Sequence, residues 1–251
     1  MQCNFRARLR AHEKLLGTMV TLPSLATAEI LADAGFDWLF IDGEHGPLET
    51  PEILGILQAV DHRTACVVRV PATSEVSIKK VLDLGATGLI VPQVNTAEEA
   101  ADVVRFARYA PLGSRGVGLA RAHGYGKRFQ EYVENANDQI AVIVQAEHAD
   151  SVENMEAIAQ VEGVDAVLLG PYDLAASLGK MGQVDDPLVT EAIAHVTHTC
   201  QQAGLPLGIF GVTSEAVAPY LQQGYTLIVG GVDALLLGTA ASRMAQALRS
   251  L

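Results

Sequence analysis

A chain of 251 residues, 49% of them hydrophobic, can bury the core of one α/β barrel or of two small domains. Its net charge of -12 and isoelectric point near 4.9 argue against a nucleic-acid or anionic-membrane partner, so local cations must hold any carboxylate substrate. Cys3, Cys66 and Cys200 are odd in number and form no CxxC, which excludes a disulfide framework and a thiolate metal site. Residues 1–14 lack the apolar core of a secretory signal, and no run approaches the ~18 apolar residues of a membrane span, so a soluble cytoplasmic protein is expected.

Short blocks rich in Val, Ile and Leu alternate with stretches of helical period along the chain. The first block, 16–22, precedes a helical stretch at 24–34 that stops at Gly35, and the second, 38–42, precedes one at 51–60. Block 66–70 is followed by helix 75–84 ending at Gly85, and block 88–94 by helix 97–109. Residues 110–126 then form a long irregular stretch rich in glycine, the kind of loop that is usually functional or disordered. Blocks 140–146 and 166–169 enclose a helix at 151–161, and helix 188–203 ends at Gly204. Blocks 207–210 and 226–229 flank helix 214–223, which stops at Gly224, and helix 237–248 comes last. Glycine immediately after a helix fits the left-handed C-cap. Continuous apolar blocks belong in a parallel sheet covered on both faces, and eight of them interleaved with helices predict one (β/α)8 TIM barrel over residues 1–251.

Chemistry in such a barrel sits at the C-terminal ends of the strands, and the polar residues that interrupt these blocks fall there. Asp42, Glu44 and His45 close the second block, Arg69 sits near the end of the third, Gln145 and Glu147 end the fifth, and Asp173 follows the sixth. Gln145 and Glu147 share a strand face, being two residues apart. Glu147 and Asp173 can hold one divalent cation between two carboxylates, a hard oxygen set suited to Mg²⁺ or Mn²⁺, with Zn²⁺ or Co²⁺ tolerated. Each alone would read equally well as a helix-terminal acid. Arg69, flanked by valines, needs an anionic partner, either a structural carboxylate or negative charge developing on a substrate oxygen. His45, in a Gly-Glu-His-Gly turn, is placed to act as a base, with Asp42 or Asp83 as the carboxylate that orients it. None of Lys14, Lys79, Lys80, Lys127 and Lys180 interrupts a strand, which disfavours a Schiff-base mechanism. No nucleotide-binding glycine motif is present, and Gly230-Gly231 reads as a packing feature.

Residues 36–49 (FDWLFIDGEHGPLE) resemble the hallmark segment of the HpcH/HpaI aldolase family, and 85–94 (GATGLIVPQV), 113–118 (GSRGVG) and 170–179 (GPYDLAASLG) resemble its other blocks in the same order. The resemblance runs from about Leu16 onward. It implies a barrel of the phosphoenolpyruvate/pyruvate-binding type and a metal-dependent class II aldolase that cleaves 4-hydroxy-2-oxo acids to pyruvate and an aldehyde, with oxaloacetate decarboxylation as a side activity. By that resemblance His45 is the base, Arg69 the transition-state stabiliser and Asp83 the carboxylate that raises the histidine's basicity. Glu147 and Asp173 are the metal ligands, and Gln145, Tyr172 and Asp173 bind substrate, the last two through backbone groups. Tyr172 stands where family members often carry a smaller residue, which leaves the shape of the aldehyde pocket open. The resemblance also implies a hexamer in which 110–126 serves a neighbouring site. The competing readings are a CoA-thioester lyase of the citrate-lyase-β or malyl-CoA type, a phosphoenolpyruvate-type transferase or mutase, and a non-catalytic barrel. The first lacks a cationic cluster for CoA phosphates, the second is opposed by the His45 segment, and the third does not account for the sorted strand ends.

Overall fold

In the computed structural model, which describes residues 4–251, the eight apolar blocks close into a parallel barrel. The strands follow chain order: β1 (Leu15–Val20), β2 (Trp38–Asp42), β3 (Ala65–Arg69), β4 (Gly88–Val91), β5 (Ala141–Ala146), β6 (Ala166–Leu169), β7 (Leu207–Gly211) and β8 (Leu227–Val232), and β8 pairs back onto β1. This is the (β/α)8 barrel that the alternation predicts.

Successive strand residues face opposite ways, so each block supplies two cores. Trp38, Phe40, Val67, Ile143 and Leu168 fill the barrel, while Leu39, Ile41, Val68, Val142 and Leu169 pack beneath the helices. Gly17 admits the largest of these side chains, since a Cβ there would lie 2.5 Å from the Trp38 indole. The same parity turns Asp42, Arg69 and Gln145 inward, each two residues beyond an interior apolar side chain (Phe40, Val67 and Ile143), at the C-terminal rim.

The chain opens with α1 (Phe5–Arg10), a six-residue helix too short to show apolar periodicity. Its Phe5 and Leu9 plug the N-terminal end of the barrel, with the Phe5 and Trp38 rings 5.8 Å apart. The covering helices are α2 (Leu25–Asp33), α3 (Thr50–Val60), α4 (Glu75–Asp83) and α5 (Ala97–Ala107), followed by α6 (Phe129–Gln139), a polar helix after the glycine-rich loop that the apolar pattern does not mark. The stretch 151–161 is two short helices, α7 (Ala149–Glu153) and α8 (Met155–Ala159), hinged at Asn154. After β6 comes α9 (Pro171–Ser177), then α10 (Pro187–Ala203), α11 (Ser214–Gln222) and α12 (Asp233–Arg249). Gly35 and Gly85 carry positive φ (95° and 97°) at the ends of α2 and α4, as C-cap glycines should.

α12 differs from the other helices. Asp233 is buried, but every residue from Ala234 onward is exposed, Leu235, Leu236, Leu237, Met244 and Leu248 among them. Leu16, on the outer face of β1 where an eighth covering helix would lie, is left 38% exposed. Cys66 and Cys200 are buried free thiols whose ionisation burial opposes, and Cys3 lies outside the described residues. No helix among the described residues is long and apolar enough to cross a membrane.

Candidate active site

The C-terminal rim carries a cavity of about 500 Å³ bounded by Met19, Thr21, Asp42, His45, Arg69, Gln145, Tyr172, Asp173 and Phe210. Five of the seven site residues expected from the sequence therefore share one opening, and a sixth, Glu147, lies directly behind Gln145.

Asp42 and Arg69 are adjacent across the β2–β3 register and form a bidentate pair, with Arg69 Nε and Nη2 donating to the two carboxylate oxygens at 2.9 and 2.8 Å. Burial would raise the Asp42 carboxyl, but the hydrogen bond and charge of Arg69, with the backbone N–H groups of Glu44 and His45, outweigh it and hold the group below its ordinary range. The guanidinium also lies over the Phe40 ring, 5.1 Å from its centroid. Held on one edge and one face, Arg69 has no hydrogen bond at Nη1 among the described residues.

Asp42 also shapes the turn that follows. Its Oδ1 accepts from the backbone N–H of Glu44 (3.0 Å) and of His45 (3.3 Å), an Asx-type turn that lifts the imidazole to the rim, where 66% of its side chain is exposed. Gly43 is required there because a Cβ would lie 2.7 Å from the Arg69 carbonyl oxygen. The carboxylate facing the imidazole is Glu44, with Oε2 3.6 Å from His45 Nε2 and 3.1 Å from Arg69 Nε. Burial raises the Glu44 carboxyl; Arg69 and His45 oppose this, and Asp42 and Asp173 reinforce it.

Within one chain, Asp83 lies apart from this turn. α4 runs away from the catalytic rim, so Asp83, its last residue, lies toward the opposite end of the barrel. There it accepts from Arg115 Nη2 at 2.8 Å, and Arg115 is stacked between Tyr109 and Tyr132. The Asp42 carboxylate is bonded to Arg69 and to the turn's backbone, and the ion pair that His45 makes within the chain is with Glu44.

Glu147 is 3% exposed. Its Oε1 accepts from the backbone N–H of Gln93 at 2.9 Å and its Oε2 from the Gln145 side-chain amide. Gln93 donates from a left-handed conformation (φ 53°), a strain that sequence reasoning cannot register. Gly170 leaves room for the carboxylate, since a Cβ there would lie 3.0 Å from Glu147 Cβ and 3.2 Å from Oε2. Burial pushes the Glu147 carboxyl up to about 7; the Gln93 N–H opposes this, the nearby charges of Glu44 and Asp173 add to it, and Arg69 offsets part. Gln145 Oε1 is buried without a hydrogen-bond partner among the described residues.

These features fit a divalent cation. Closely placed carboxylates that repel one another, and an orphaned amide oxygen beside them, are relieved by positive charge. Among the described residues no three His, Cys, Asp or Glu side chains converge into a ready-made cage, so Glu147 and Asp173 would hold an ion that keeps most of its positions for water and substrate. Among the described residues no lysine bounds the cavity, and Lys180 is tied to Asp186 at 2.9 Å.

Sequence and structure comparisons show what the chain is similar to. The chain is 42% identical over 244 residues to a 4-hydroxy-2-oxovalerate aldolase of Rhodococcus jostii, a match covering 96% of this chain and 94% of that one. It is 41% identical to a 4-hydroxy-2-oxo-heptane-1,7-dioate aldolase of Shigella sonnei, covering 98% and 94%. A crystal structure of an HpcH/HpaI aldolase/citrate lyase family protein from Burkholderia cenocepacia superposes with a TM-score of 0.94 at 40% identity, covering 97% of this chain and 98% of that chain. Residues 17–240, which span every element of the site, match the family model itself, and the chain belongs to the HpcH/HpaI aldolase/citrate lyase family.

Proposed function

We propose that this protein is a class II aldolase that reversibly cleaves 4-hydroxy-2-oxo acids to pyruvate and an aldehyde, with a divalent cation, Mg²⁺ or Mn²⁺ first and Co²⁺ or Zn²⁺ as substitutes, held by Glu147 and Asp173. The observation that carries the proposal is one rim cavity lined by His45, Arg69, Gln145 and Asp173, with the Glu147 carboxylate bonded to Gln145 behind it, in a chain whose relatives at 41–43% identity are named as aldolases of such acids.

When bound, the cation supplies a Lewis-acidic centre for the substrate's carboxylate and 2-oxo oxygens. Gln145 and the backbone of Tyr172 and Asp173 orient that end of the substrate. His45 takes the proton of the 4-hydroxyl, the C3–C4 bond breaks, the hydroxyl oxygen's electrons form the aldehyde carbonyl, and the bond pair passes into the pyruvate enolate. Arg69 directs its free Nη1 edge at the negative charge that grows on the enolate oxygen. Protonation at C3 completes pyruvate. Oxaloacetate gives the same enolate by losing CO₂, with no hydroxyl proton to remove, so its decarboxylation is a side activity. Tyr172, 46% exposed at the cavity edge, borders the aldehyde.

The exposed apolar residues of α12 and those at Leu112, Val117, Leu119 and Tyr125 in the glycine-rich loop support a homo-oligomer, with a hexamer as the family expectation. A screen of 4-hydroxy-2-oxo acids with pyruvate as the readout tests the activity. Turnover that stops with EDTA and returns with Mg²⁺ or Mn²⁺ is expected, whereas a borohydride-trapped pyruvate adduct would replace this reading with an imine route.

A further inference from the structure

On the opposite side of the cavity from Glu147, one buried carboxylate gathers more donors than any helix cap needs. Asp233, 2% exposed at the start of α12, accepts from Thr21 N at both oxygens (3.1 and 3.0 Å), from Thr21 Oγ1 (2.7 Å), from Leu22 N (2.9 Å) and from Ala234 N (2.7 Å). Thr21 and Leu22 belong to the loop after β1, and both border the rim cavity.

Two features of the sequence bring Asp233 there. Gly17 pairs with Val229, but Met19 pairs with Val232, so β8 carries one residue more than β1 across this interval. Gly231, with φ 81°, absorbs the extra residue, a bulge of the kind that re-aims the side chain beyond it. The Gly230-Gly231 pair therefore serves more than close packing. Thr21 in turn abuts the catalytic turn: its carbonyl oxygen and Cα lie 3.4 and 3.8 Å from the place a Gly46 Cβ would occupy.

From this chain of contacts we infer that Asp233 is a positioning residue for the His45 turn, acting through Thr21. Asp42 holds the turn from inside the barrel through the Glu44 and His45 N–H groups, and Asp233 fixes the wall against which Gly46 rests. The inference rests on the aldolase reading for its kinetic consequence, though not for its structural one.

The test compares wild type with Asp233→Asn, whose amide group turns donors toward donors. Retro-aldol cleavage depends on His45, whereas oxaloacetate decarboxylation uses the other side of the cavity and needs no hydroxyl proton removed. Asp233→Asn should lower retro-aldol kcat at least about tenfold with KM little changed, while decarboxylation stays within about twofold. Hydrogen exchange should quicken in segments 19–23 and 43–47 and not in β4 or β5. Equal loss of both reactions, no loss in either, or unchanged protection at 43–47 would each overturn the inference. If Asp233→Asn does not fold, Thr21→Val, which deletes one donor and keeps the backbone, takes the same exchange test. Wild-type protein that turns over neither substrate would overturn the aldolase reading instead, and the exchange comparison then decides Asp233 by itself.

Discussion

Arg69 and Asp42 face each other across β2 and β3 with two hydrogen bonds, and both side chains are more than nine-tenths buried. The pair answers the question that a valine-flanked arginine raises, since its charge is matched inside the chain. Removing one partner strands the other, at a cost of about 3–5 kcal/mol for a buried ion pair. Asp42→Ala should therefore lower stability by that order in a denaturant melt and also release the His45 turn. Arg69→Lys keeps the charge but cannot reproduce the fork, and we expect kcat to fall by about 10²-fold or more in a steady-state assay.

His45 separates activity from stability. Its side chain is 66% exposed, so His45→Ala should change stability by no more than about 0.5 kcal/mol. If the imidazole is the base, kcat for retro-aldol cleavage should fall by about 10²- to 10⁴-fold while oxaloacetate decarboxylation persists. Equal retro-aldol turnover by the mutant, with metal present, would exclude His45 as the base. Glu44→Gln should lie between wild type and His45→Ala, because the imidazole keeps its place but loses the charge beside it.

The strand ends were legible in the sequence because polar residues are rare in continuous apolar blocks, and side-chain parity fixes the face on which Asp42, Arg69 and Gln145 emerge. Pairing across strands was not legible. Nothing local distinguishes an arginine that awaits a substrate from one bound to Asp42 of the preceding strand. The place of Asp83 was not legible for a related reason, since its bond to Arg115 joins two segments far apart in the chain. Gln93 and Gly170 left almost no signal: one acts through a backbone N–H and the other through the absence of a side chain. α1 and α6 were missed because one is too short and the other too polar to show an apolar period.

Gly170 gives a prediction specific to the carboxylate pair. In Gly170→Ala the new Cβ meets Glu147 Cβ at 3.0 Å and Gln145 Nε2 at 3.2 Å, tighter than ordinary contact, and both neighbours are buried. The φ of -106° at this position suits any residue, so the backbone itself is not strained. The displacement should fall on Glu147. Expected is a folded protein with Mn²⁺ affinity reduced about tenfold or more in a titration, whereas unchanged affinity would remove Glu147 from the metal site.

The Glu147 carboxyl also makes the metal-free protein sensitive to pH. With its folded value raised from 4.5 to about 7, the folded state holds more protons than the unfolded state between those limits, so the group's contribution to stability falls as pH rises through that window. The contribution is fully present below about 4.5 and is lost above about 7. At roughly 1.4 kcal/mol per unit the total is on the order of 3 kcal/mol. A bound cation competes with the proton for the same oxygens, so it should restore stability at pH 8 and have little effect at pH 5. Melting temperatures measured from pH 5 to 8, with EDTA and with Mn²⁺, should therefore diverge toward the alkaline end. Glu147→Gln, which has no proton to lose and no charge to offer, should flatten the EDTA curve and abolish most of the Mn²⁺ effect. A metal-free wild type whose melting temperature is no more pH-dependent than that of Glu147→Gln would show that the carboxyl titrates in its ordinary range.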